Sequence, residues 1–444
     1  MSTDILDGAE WDVELDRLEP AVRGPALDRL ARRATEEREA APAATKPGNL
    51  HAHTFHSFNC YNYSPARYAL LARRFGMEVA GIVDFDVLDG LDEFHAAGRQ
   101  LGLRTVVSLE TRVYVPEFAT SVINSPGEPG VAYHMACGFA HPPTARLPAA
   151  FLKDLRERSE HRNRDVVARV NAVLGAVALD YATDVRPLTP GGNATERHLV
   201  LAYARKAARL IGPEGLLAFW STKLGPGLSA EDLPESPKLL NLIRAKLMKS
   251  GGPGYVAPTP ETFPPLADFN QFALQSGAIP TVAWLDGTSP VEGKMAHWCA
   301  VAALSGAAAL NIIPDRNFTP GKPDAKRQHL HDVVALAERL NWPVIAGTEM
   351  NSYGQKFVDA FDDEALRPLV PTFRRGAFVL YAHTALQRAA GIGYLGPWAE
   401  QHLPRREDRL AWFAALGAAL TPETEAKLTG LTPDETPDAI RRRL

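Results

Sequence analysis

A short apolar run that ends in a polar residue, with an amphipathic helical pattern after it, recurs along the chain. Continuous runs of this length are typical of parallel strands that are buried on both faces. Because polar residues stand at the ends of most runs, the pattern favours an α/β barrel, the fold whose enzymes place their chemistry at the carboxyl ends of the strands. An open doubly wound sheet is the alternative, but no GxGxxG follows the first run, which disfavours a dinucleotide-binding sheet. The runs and their polar residues are Val79–Val83 with Asp84 and Asp86, Thr105–Leu109 with Glu110, Ile279–Leu285 with Asp286, Ala308–Ile313 with Asp315, Arg316 and Asn317, Pro343–Gly347 with Glu349 and Asn351, and Ala377–Tyr381 with His383.

The strand–helix alternation divides the chain into five predicted segments. It stops between residues 144 and 265, where helical patterns separated by Gly and Pro predict a helical insertion that caps the barrel. The segments are 1–47, a helical segment broken at Pro20 and Pro25 with a linker after it; 48–143, the first part of the barrel; 144–265, the insertion; 266–396, the second part of the barrel; and 397–444, a polar tail with one helix from Leu410 to Leu420.

The composition argues against several classes of protein. A hydrophobic content of 45% and a charged content of 23% are ordinary for a globular chain of 444 residues. The formal net charge of −4 gives no basic footprint for nucleic acid. Cys60, Cys137 and Cys299 form no CxxC pair, which favours a reducing compartment. No apolar run approaches the roughly 20 residues that span a bilayer, and the acidic N-terminus is unlike a signal peptide. We therefore expect a cytoplasmic protein that binds neither nucleic acid nor membrane.

Two histidines one residue apart, His51 and His53, follow a short apolar stretch that ends at Leu50. If Leu50 ends a strand, the two imidazoles leave on the same face, because side chains alternate along a strand with a period of two. Two imidazoles on one face make half of a metal site. Two solvated loop histidines are the plain alternative for this motif alone.

Imidazoles and carboxylates stand at the ends of most of the predicted strands. This is the ligand mixture of zinc, manganese and iron sites, and a carboxylate such as that of Glu110 can bridge two ions. Taken singly, residues of this kind have structural explanations, because Asp84 could cap a helix, His134 could lie in the core, and His383 could be a hydrogen-bonding loop residue. Taken together, they predict a metal site. The candidate ligands are His51, His53, Asp84, Glu110, His134, Glu349 and His383.

With these motifs in order, the chain resembles the polymerase and histidinol phosphatase (PHP) family. The family has an HxH pair, an Asp-His-Asp strand end before a helix, a strand-end glutamate, a later histidine, and a final Gly-Ser-Asp-x-His. The insertion, with Thr195-Glu-Arg-His198, resembles a branch that carries a long helical cap. The corresponding residues here are His51 and His53, Asp84-Phe85-Asp86 before Gly90-Leu91, Glu110, His134, and Gly347-Thr-Glu349-Met-Asn351.

The resemblance implies a distorted (β/α) barrel of about seven mostly parallel strands, up to three metal ions, and hydrolysis of phosphate esters. Phe85 stands where the family has a ligand histidine, and Asn351 replaces the histidine of the last motif. A phenyl ring cannot bind a metal, and an amide is a weak ligand for a transition ion. We therefore expect one or two divalent ions of zinc, manganese or iron. They would be held chiefly by His51, His53, Glu110 and Glu349, with Asp84 and His134 as second choices and His383 as a replacement imidazole.

The first functional hypothesis is a metal-dependent phosphoesterase that acts on a small phosphorylated molecule. Arg316, at a strand end, is the candidate for bidentate binding of a phosphate. His56 and His198 are candidates for donating a proton to the leaving group. Substrate contacts are expected from Asn351, Asn317 and Asp286. Four arginines of the insertion could steer an anionic substrate or form a solvated face, namely Arg156, Arg158, Arg162 and Arg164.

Two other hypotheses remain open. An amidohydrolase or deaminase also uses HxH and an activated water, but the sequence shows no lysine on a mid-chain strand to bridge two ions. A barrel that has lost turnover and binds a ligand or partner is the third reading, because Phe85 and Asn351 depart from the family's ligands. The metal content of the purified protein discriminates this last hypothesis from the other two.

Overall fold

The computed structural model describes residues 13–317 and 325–444 of the chain. Every neighbouring pair of strands is parallel except the two pairs made by the fourth strand, which runs antiparallel to both of its neighbours. The prediction of an α/β fold with about seven mostly parallel strands is therefore confirmed. The strands form one sheet in chain order: β1 (Lys46–Ala52), β2 (Met77–Phe85), β3 (Arg104–Tyr114), β4 (Val131–Cys137), β5 (Ile279–Trp284), β6 (Ala309–Ile312) and β7 (Val344–Ala346).

A pair of backbone hydrogen bonds brings the two ends of the sheet together. The N–H of His53 donates to the carbonyl oxygen of Glu349 at 2.8 Å, and the N–H of Glu349 donates to that of His51 at 2.7 Å. Ala52 and Glu349 thereby form a parallel bridge. The sheet is nearly closed into a barrel, and the ends of β1 and β7 lie side by side at its carboxyl edge.

Side chains alternate between an inner and an outer apolar face of the barrel. Val79 and Val83 of β2 pack inward in one cluster with Val106 of β3. Ala80 and Ile82 of the same strand pack outward, in the cluster that includes the surrounding helices. This parity decides which polar residues at the strand ends can face the interior of the barrel.

Helices surround the barrel, cover its carboxyl edge and close its base. Their ends follow local signals: the hydroxyl of Ser64 accepts from the N–H of Arg67 at 3.0 Å, with Pro65 as the first helical residue. The helices are α1 (Pro20–Ala40), α2 (Pro65–Arg74), α3 (Leu91–Leu101), α4 (Arg146–Leu174), α5 (Glu196–Ile211), α6 (Pro213–Leu224), α7 (Pro237–Ile243), α8 (Leu266–Gln275), α9 (Met295–Leu304), α10 (Ala325–Arg339), α11 (Val370–Ala390), α12 (Pro397–His402), α13 (Arg406–Ala419) and α14 (Pro437–Arg443).

The apolar run Ala377–Tyr381 belongs to α11, so the predicted strand at this place is wrong. Val379 and Leu380 pack in the inner cluster with Val79 and Ile279, residues near the starts of β2 and β5. The helix therefore closes the amino-terminal end of the barrel. Its run is apolar on every side because the barrel buries one face and C-terminal helices cover another.

Helices α4 to α7, which lie between β4 and β5, share a hydrophobic cluster that is separate from those of the barrel. Val170 of α4, Leu199 of α5, Trp220 of α6 and Ile243 of α7 are all buried in it. We call the region formed by α4 to α7 and the chain up to Ser250 the cap. The predicted limits of the insertion, 144 and 265, remain a prediction.

The two terminal segments differ from expectation within the described residues. Helix α1 runs through both prolines, with Pro20 at its first position and Pro25 in its second turn, so the predicted break is wrong. Residues 1–12 of that segment lie outside the described residues. The C-terminal segment is not a polar tail with one helix: α12, α13 and α14 bury Trp398, Phe413 and Ile440 in the cluster that contains α11.

Among the described residues, no single helix has the length and apolar character needed to cross a membrane. One bent pair, Arg146–Val177 with Tyr181–Leu188, meets the criteria of length and composition jointly, at an angle of 85°.

Candidate metal centre

Three buried side chains meet at the carboxyl end of the barrel. The Nε2 atom of His51 lies 3.4 Å from Oε2 of Glu110, and Nε2 of His53 lies 3.2 Å from the same oxygen. Their potential ligand atoms all lie within 4.8 Å of one another, as a metal site requires. Strand parity explains the direction of Glu110, which shares the inner face of β3 with Val106. His51 directly follows Leu50, which also packs in the inner cluster, at the place where the register of β1 shifts.

The imidazole of His53 is held by a chain of two hydrogen bonds. The hydroxyl of Ser57 donates to Oδ1 of Asp84 at 2.6 Å and lies 2.9 Å from Nδ1 of His53. Since the hydroxyl proton is committed to Asp84, its oxygen accepts from Nδ1–H of His53. This assignment leaves an unprotonated Nε2 directed at Glu110, the tautomer that binds a metal.

The imidazole of His51 is fixed in the same way by a different residue. Its Nδ1 lies 3.0 Å from Oδ1 of Asn311, whose amide nitrogen donates to the carbonyl oxygen of Ile345 at 3.2 Å. The amide is thereby oriented with its oxygen toward the ring, so Nδ1 of His51 is the donor. The other ring nitrogen of this histidine, Nε2, faces Glu110 and is the atom that would bind a metal.

The electrostatics of the three residues match a cation site. Burial raises the pKa of Glu110, but His51 and His53 outweigh it and lower this pKa to about 2. Burial lowers the pKa of His51, yet the carboxylates of Glu110 and Glu349 leave it above its ordinary value. Nε2 of His51 and Nε2 of His53 have no hydrogen-bond partner among the described residues. Two lone pairs and a carboxylate at this separation fit a bound divalent ion.

Asp84, a predicted ligand, has a supporting role in the structure. It shares its face of β2 with the outward-facing Ala80 and Ile82, so it does not join the three converging side chains. Its Oδ1 accepts from the N–H of Thr54 at 2.9 Å, and its Oδ2 from the Thr54 hydroxyl at 2.7 Å. Phe85, the next residue, has the inward parity and stacks on His53 with ring centroids 4.6 Å apart.

The ligand predictions for His134 and His383 are contradicted by their positions. His134 lies opposite Thr111 on the outer face of β4, where its Nε2 meets Oδ1 of Asn270 at 2.7 Å. His383 lies on α11 at the base of the barrel, and its Nδ1 accepts from the N–H of Tyr394 at 2.9 Å. Burial lowers the pKa of each ring to about 4. Both are neutral core histidines.

The two predicted proton donors, His56 and His198, do not line the cavity beside the three converging residues. His56 is buried with its ring edge against Phe55, and burial lowers its pKa. His198 is the third residue of α5, where its Nδ1 accepts from the N–H of Thr195 at 3.0 Å. Burial lowers the pKa of His198 to about 3. His198 is part of the N-terminal capping box of α5 and does not line the cavity, so its position does not support the predicted catalytic role.

Arg316 and Glu349 form an ion pair beside the converging residues. Nη2 of Arg316 donates to Oε2 of Glu349 at 2.7 Å, and Nε2 of Gln355 donates to the same oxygen at 3.0 Å. Both Glu349 and Met350 have positive φ values, +64° and +55°, so the backbone is strained where the chain turns into the barrel's mouth. Glu349 stands outside the three-ligand group, and its role as a metal ligand stays a prediction.

The three predicted substrate contacts occupy different environments. Asn351 lines the cavity. Asn317 is fully buried and donates to the carbonyl oxygens of Leu285 and Ile313, both at 2.9 Å, so it holds two strand ends together. Asp286 accepts from the N–H of Thr288 at 3.0 Å and pairs with Lys326 at 2.8 Å. Asn317 and Asp286 thus stabilise the local structure. Of the three predicted substrate contacts, Asn351 is the one that lines the cavity.

The cavity above the three residues has a volume of about 610 Å³ and is lined by the barrel and the cap. Most of its charged residues are not among those predicted from the sequence. Arg112 could have been found, because it lies two residues beyond Glu110 and so shares the inner face of β3. Of the four insertion arginines, Arg162 reaches the cavity, whereas Arg156 and Arg164 pair with surface carboxylates. The basic residues that line the cavity are Arg112, Arg162, Arg197, Arg244, Lys249 and Arg316.

Comparisons with known proteins found similarity to solved structures. No family model matches the sequence, and no curated protein matches it. An amidohydrolase from Chromobacterium violaceum is 16% identical, covering 73% of this chain and 96% of its own, with a TM-score of 0.48. A protein from Bifidobacterium adolescentis described as a metal-dependent phosphoesterase is 15% identical, covering 74% of this chain and 98% of its own, with a TM-score of 0.48.

Proposed function

We propose that the protein is a metal-dependent hydrolase that cleaves a phosphate ester of a small molecule with water. One observation carries the proposal. The Nε2 atoms of His51 and His53, each oriented by a partner at its Nδ1, converge on Glu110 at the floor of a cavity that is rich in arginine. A group of this kind holds a divalent ion, and the surrounding arginines suit an anionic substrate.

A divalent ion would be held by His51, His53 and Glu110. A divalent ion there supplies Lewis acidity, which acidifies a water molecule and polarises a phosphoryl oxygen. Asn311 and the Ser57–Asp84 pair keep both imidazoles in the metal-binding tautomer. The described residues offer one such group, and Phe85 occupies the neighbouring place on the inner face, so we expect one ion per chain.

Arg316 is the residue that we assign to the reacting phosphoryl group. Its contact with Glu349 uses Nη2, so other guanidinium N–H groups remain for a phosphate. The carboxylate of Glu349 is the main reason why the pKa of Arg316 lies above its ordinary value, so the guanidinium is charged at any working pH. Tyr133 also lines the cavity, and burial raises its pKa, so its hydroxyl stays protonated and can donate to an anionic oxygen.

The test begins with metal content and then measures turnover. Protein expressed with added zinc or manganese is expected to carry about one ion per chain by elemental mass spectrometry. It is expected to release phosphate from members of a broad panel of phosphomonoesters. The His53→Ala variant is the control, because it loses a ligand from the candidate site. A protein that binds the ion, yet releases no phosphate above the His53→Ala background from any member, would contradict the proposal.

Binding without turnover is the second candidate, and one observation favours it. Phe85 stacks on His53 at a position where the resembled family has a ligand histidine. Less than about a third of an ion per chain after supplemented expression would support this alternative. An amidohydrolase is less well supported, because Lys249 is the one lysine among the described cavity residues and it pairs with Glu196 at 2.7 Å.

A further inference from the structure

The cap contributes four cations to the cavity, and three of them stand around a single carboxylate, that of Glu196. Arg244 pairs with Glu196 at 2.9 Å, and Lys249 pairs with the same Oε2 atom at 2.7 Å. Arg197 follows Glu196 in α5 and lines the same wall of the cavity. We call Arg197, Arg244 and Lys249 the cap cluster. With Glu196 included, its formal charge is +2.

Arg197 is the member whose charge has no counterion. Its guanidinium donates to Oδ1 of Asn241 at 2.7 Å and to the hydroxyl of Ser352 at 3.2 Å, and both acceptors are neutral. Within residues 13–317 and 325–444, no carboxylate lies within ion-pair distance of it. Burial, with Arg244 adding to it, lowers the pKa of Arg197 to about 10, so the group is still charged at neutral pH. A half-buried cation without a counterion is costly unless an anion binds there.

The other basic residues of the cavity differ in this respect. Arg112 pairs with Glu128 at 2.8 Å, and Arg316 pairs with Glu349 at 2.7 Å. Arg162 lies 3.9 Å from Asp86. The excess positive charge of the cavity is therefore concentrated on the cap wall. The three residues that would hold the ion lie on the barrel wall.

We propose that the cap cluster binds a second anionic group of the substrate, so that the substrate carries one anionic group at each wall of the cavity. This inference rests on the proposed function only for the reacting phosphoryl group at the barrel wall. The cavity volume of about 610 Å³ suits one small molecule that contacts both walls. A substrate with two separate anionic groups provides a counterion for the cap cluster as well as for the barrel wall, whereas a simple phosphomonoester bound at the barrel wall leaves the cap cluster without one.

A chain-length series of synthetic ligands tests the inference. Alkane-α,ω-diol bisphosphates with three to eight carbons are compared with the matching alkyl monophosphates by titration calorimetry on the full chain, with and without zinc. We expect the best bisphosphate to bind at least tenfold more tightly than its monophosphate. Arg197→Gln and Arg244→Gln should each reduce this preference to less than threefold, and Arg244→Lys should retain most of it.

Arg205→Gln is the matched control, because Arg205 lies on the same helix but is exposed and pairs with Glu235. It should keep the full preference for bisphosphates. Equal affinities for the two series in the wild-type protein would overturn the inference. So would a preference that survives Arg197→Gln and Arg244→Gln unchanged.

Phosphate release from the same compounds separates this inference from the proposed function. Release without a preference for bisphosphates would support the hydrolase and overturn the role of the cap cluster. A preference that depends on Arg197, with no release in the zinc- or manganese-loaded protein, would do the reverse.

Discussion

Ser57 links Asp84 to the imidazole of His53 through two hydrogen bonds. Neither Ser57 nor Asp84 belongs to the group that would hold the ion. We expect Ser57→Ala to weaken zinc affinity about 10- to 100-fold, the usual effect of removing a partner that orients a ligand. The physical reason is that Nδ1 of His53 loses its acceptor, so the ring is free to change tautomer and rotate. Competition with a chelator of known affinity measures the change.

Ser159→Ala is the control for this variant, because Ser159 is another buried serine of the cavity that does not contact either histidine. Its zinc affinity should stay within about threefold of the wild-type value. Unchanged zinc affinity in Ser57→Ala would mean that the hydrogen bond does not select the tautomer.

The residues that can be predicted from the sequence are those whose strand position fixes their direction. His51, His53 and Glu110 are predicted to converge, and they do. The same period-two rule, followed along β2 and β3, turns Asp84 outward and both Phe85 and Arg112 inward. The cap cluster cannot be found this way, because its residues come from separate helices whose packing no local pattern determines.

At the scale of elements, α11 shows where pattern alone is insufficient. A five-residue apolar run is equally consistent with a buried strand and with part of a buried helix. The decisive information is tertiary, since Ala377–Tyr381 is apolar all round only because the barrel and the C-terminal helices both cover it. The prediction of His383 as a ligand depends on the same misassigned strand, and this histidine lies at the opposite end of the barrel.

Gly376 makes the close contact between α11 and the barrel. A Cβ atom at this position would lie 2.0 Å from the carbonyl oxygen of Val344, so any larger residue forces the helix away from β7. We expect Gly376→Ala to destabilise the protein by about 1–3 kcal/mol, the usual cost of overpacking, and to lower Tm in calorimetry.

Gly24→Ala is the matched control for Gly376→Ala, because Gly24 lies inside α1, where an added methyl group would have nothing within 4 Å of it. Alanine is the better helix former, so this variant should be neutral or more stable by about 0.5–1 kcal/mol. If both variants had the same Tm as the wild type, the contact between α11 and β7 would not be tight.

For the whole molecule, buried histidines predict how stability depends on pH. Burial lowers the pKa of five of them, whereas the pKa of His51 is raised; the five are His56, His95, His134, His198 and His383. A lowered folded-state pKa means that the unfolded chain binds the proton first. Stability is therefore lost as the pH falls below about 6.5, the unfolded value. His51 is protonated in both states below that pH, so it does not change the slope there.

The four histidines with a pKa of about 3 or 4 contribute up to about 5 kcal/mol per pH unit, at about 1.36 kcal/mol each. Glu292, whose pKa burial raises to about 7, and Asp359, whose pKa burial also raises, bind protons first in the folded protein, so they reduce this slope without reversing its sign. Tm should fall steeply between pH 6.5 and 5, a window in which carboxylates of ordinary pKa stay ionised in both states. Calorimetry in the presence of EDTA measures it without competition from metal. A Tm that stays level across this window would show that these histidines are protonated in the folded protein. His161→Gln, at an exposed site, should leave the profile unchanged.

The reversed direction of β4 has a consequence for the reach of the cap. Because this strand runs antiparallel to its neighbours, Cys137 leaves the sheet at the base, opposite Ile279, which starts β5. The chain returns to the mouth through the 29 residues of α4, whose middle carries Arg162 to the cavity. Each helical residue adds about 1.5 Å of rise. The distance between Arg162 and the base of the barrel is thus set by the number of helical residues that precede it in α4, so an insertion or deletion there would move this arginine along the cavity.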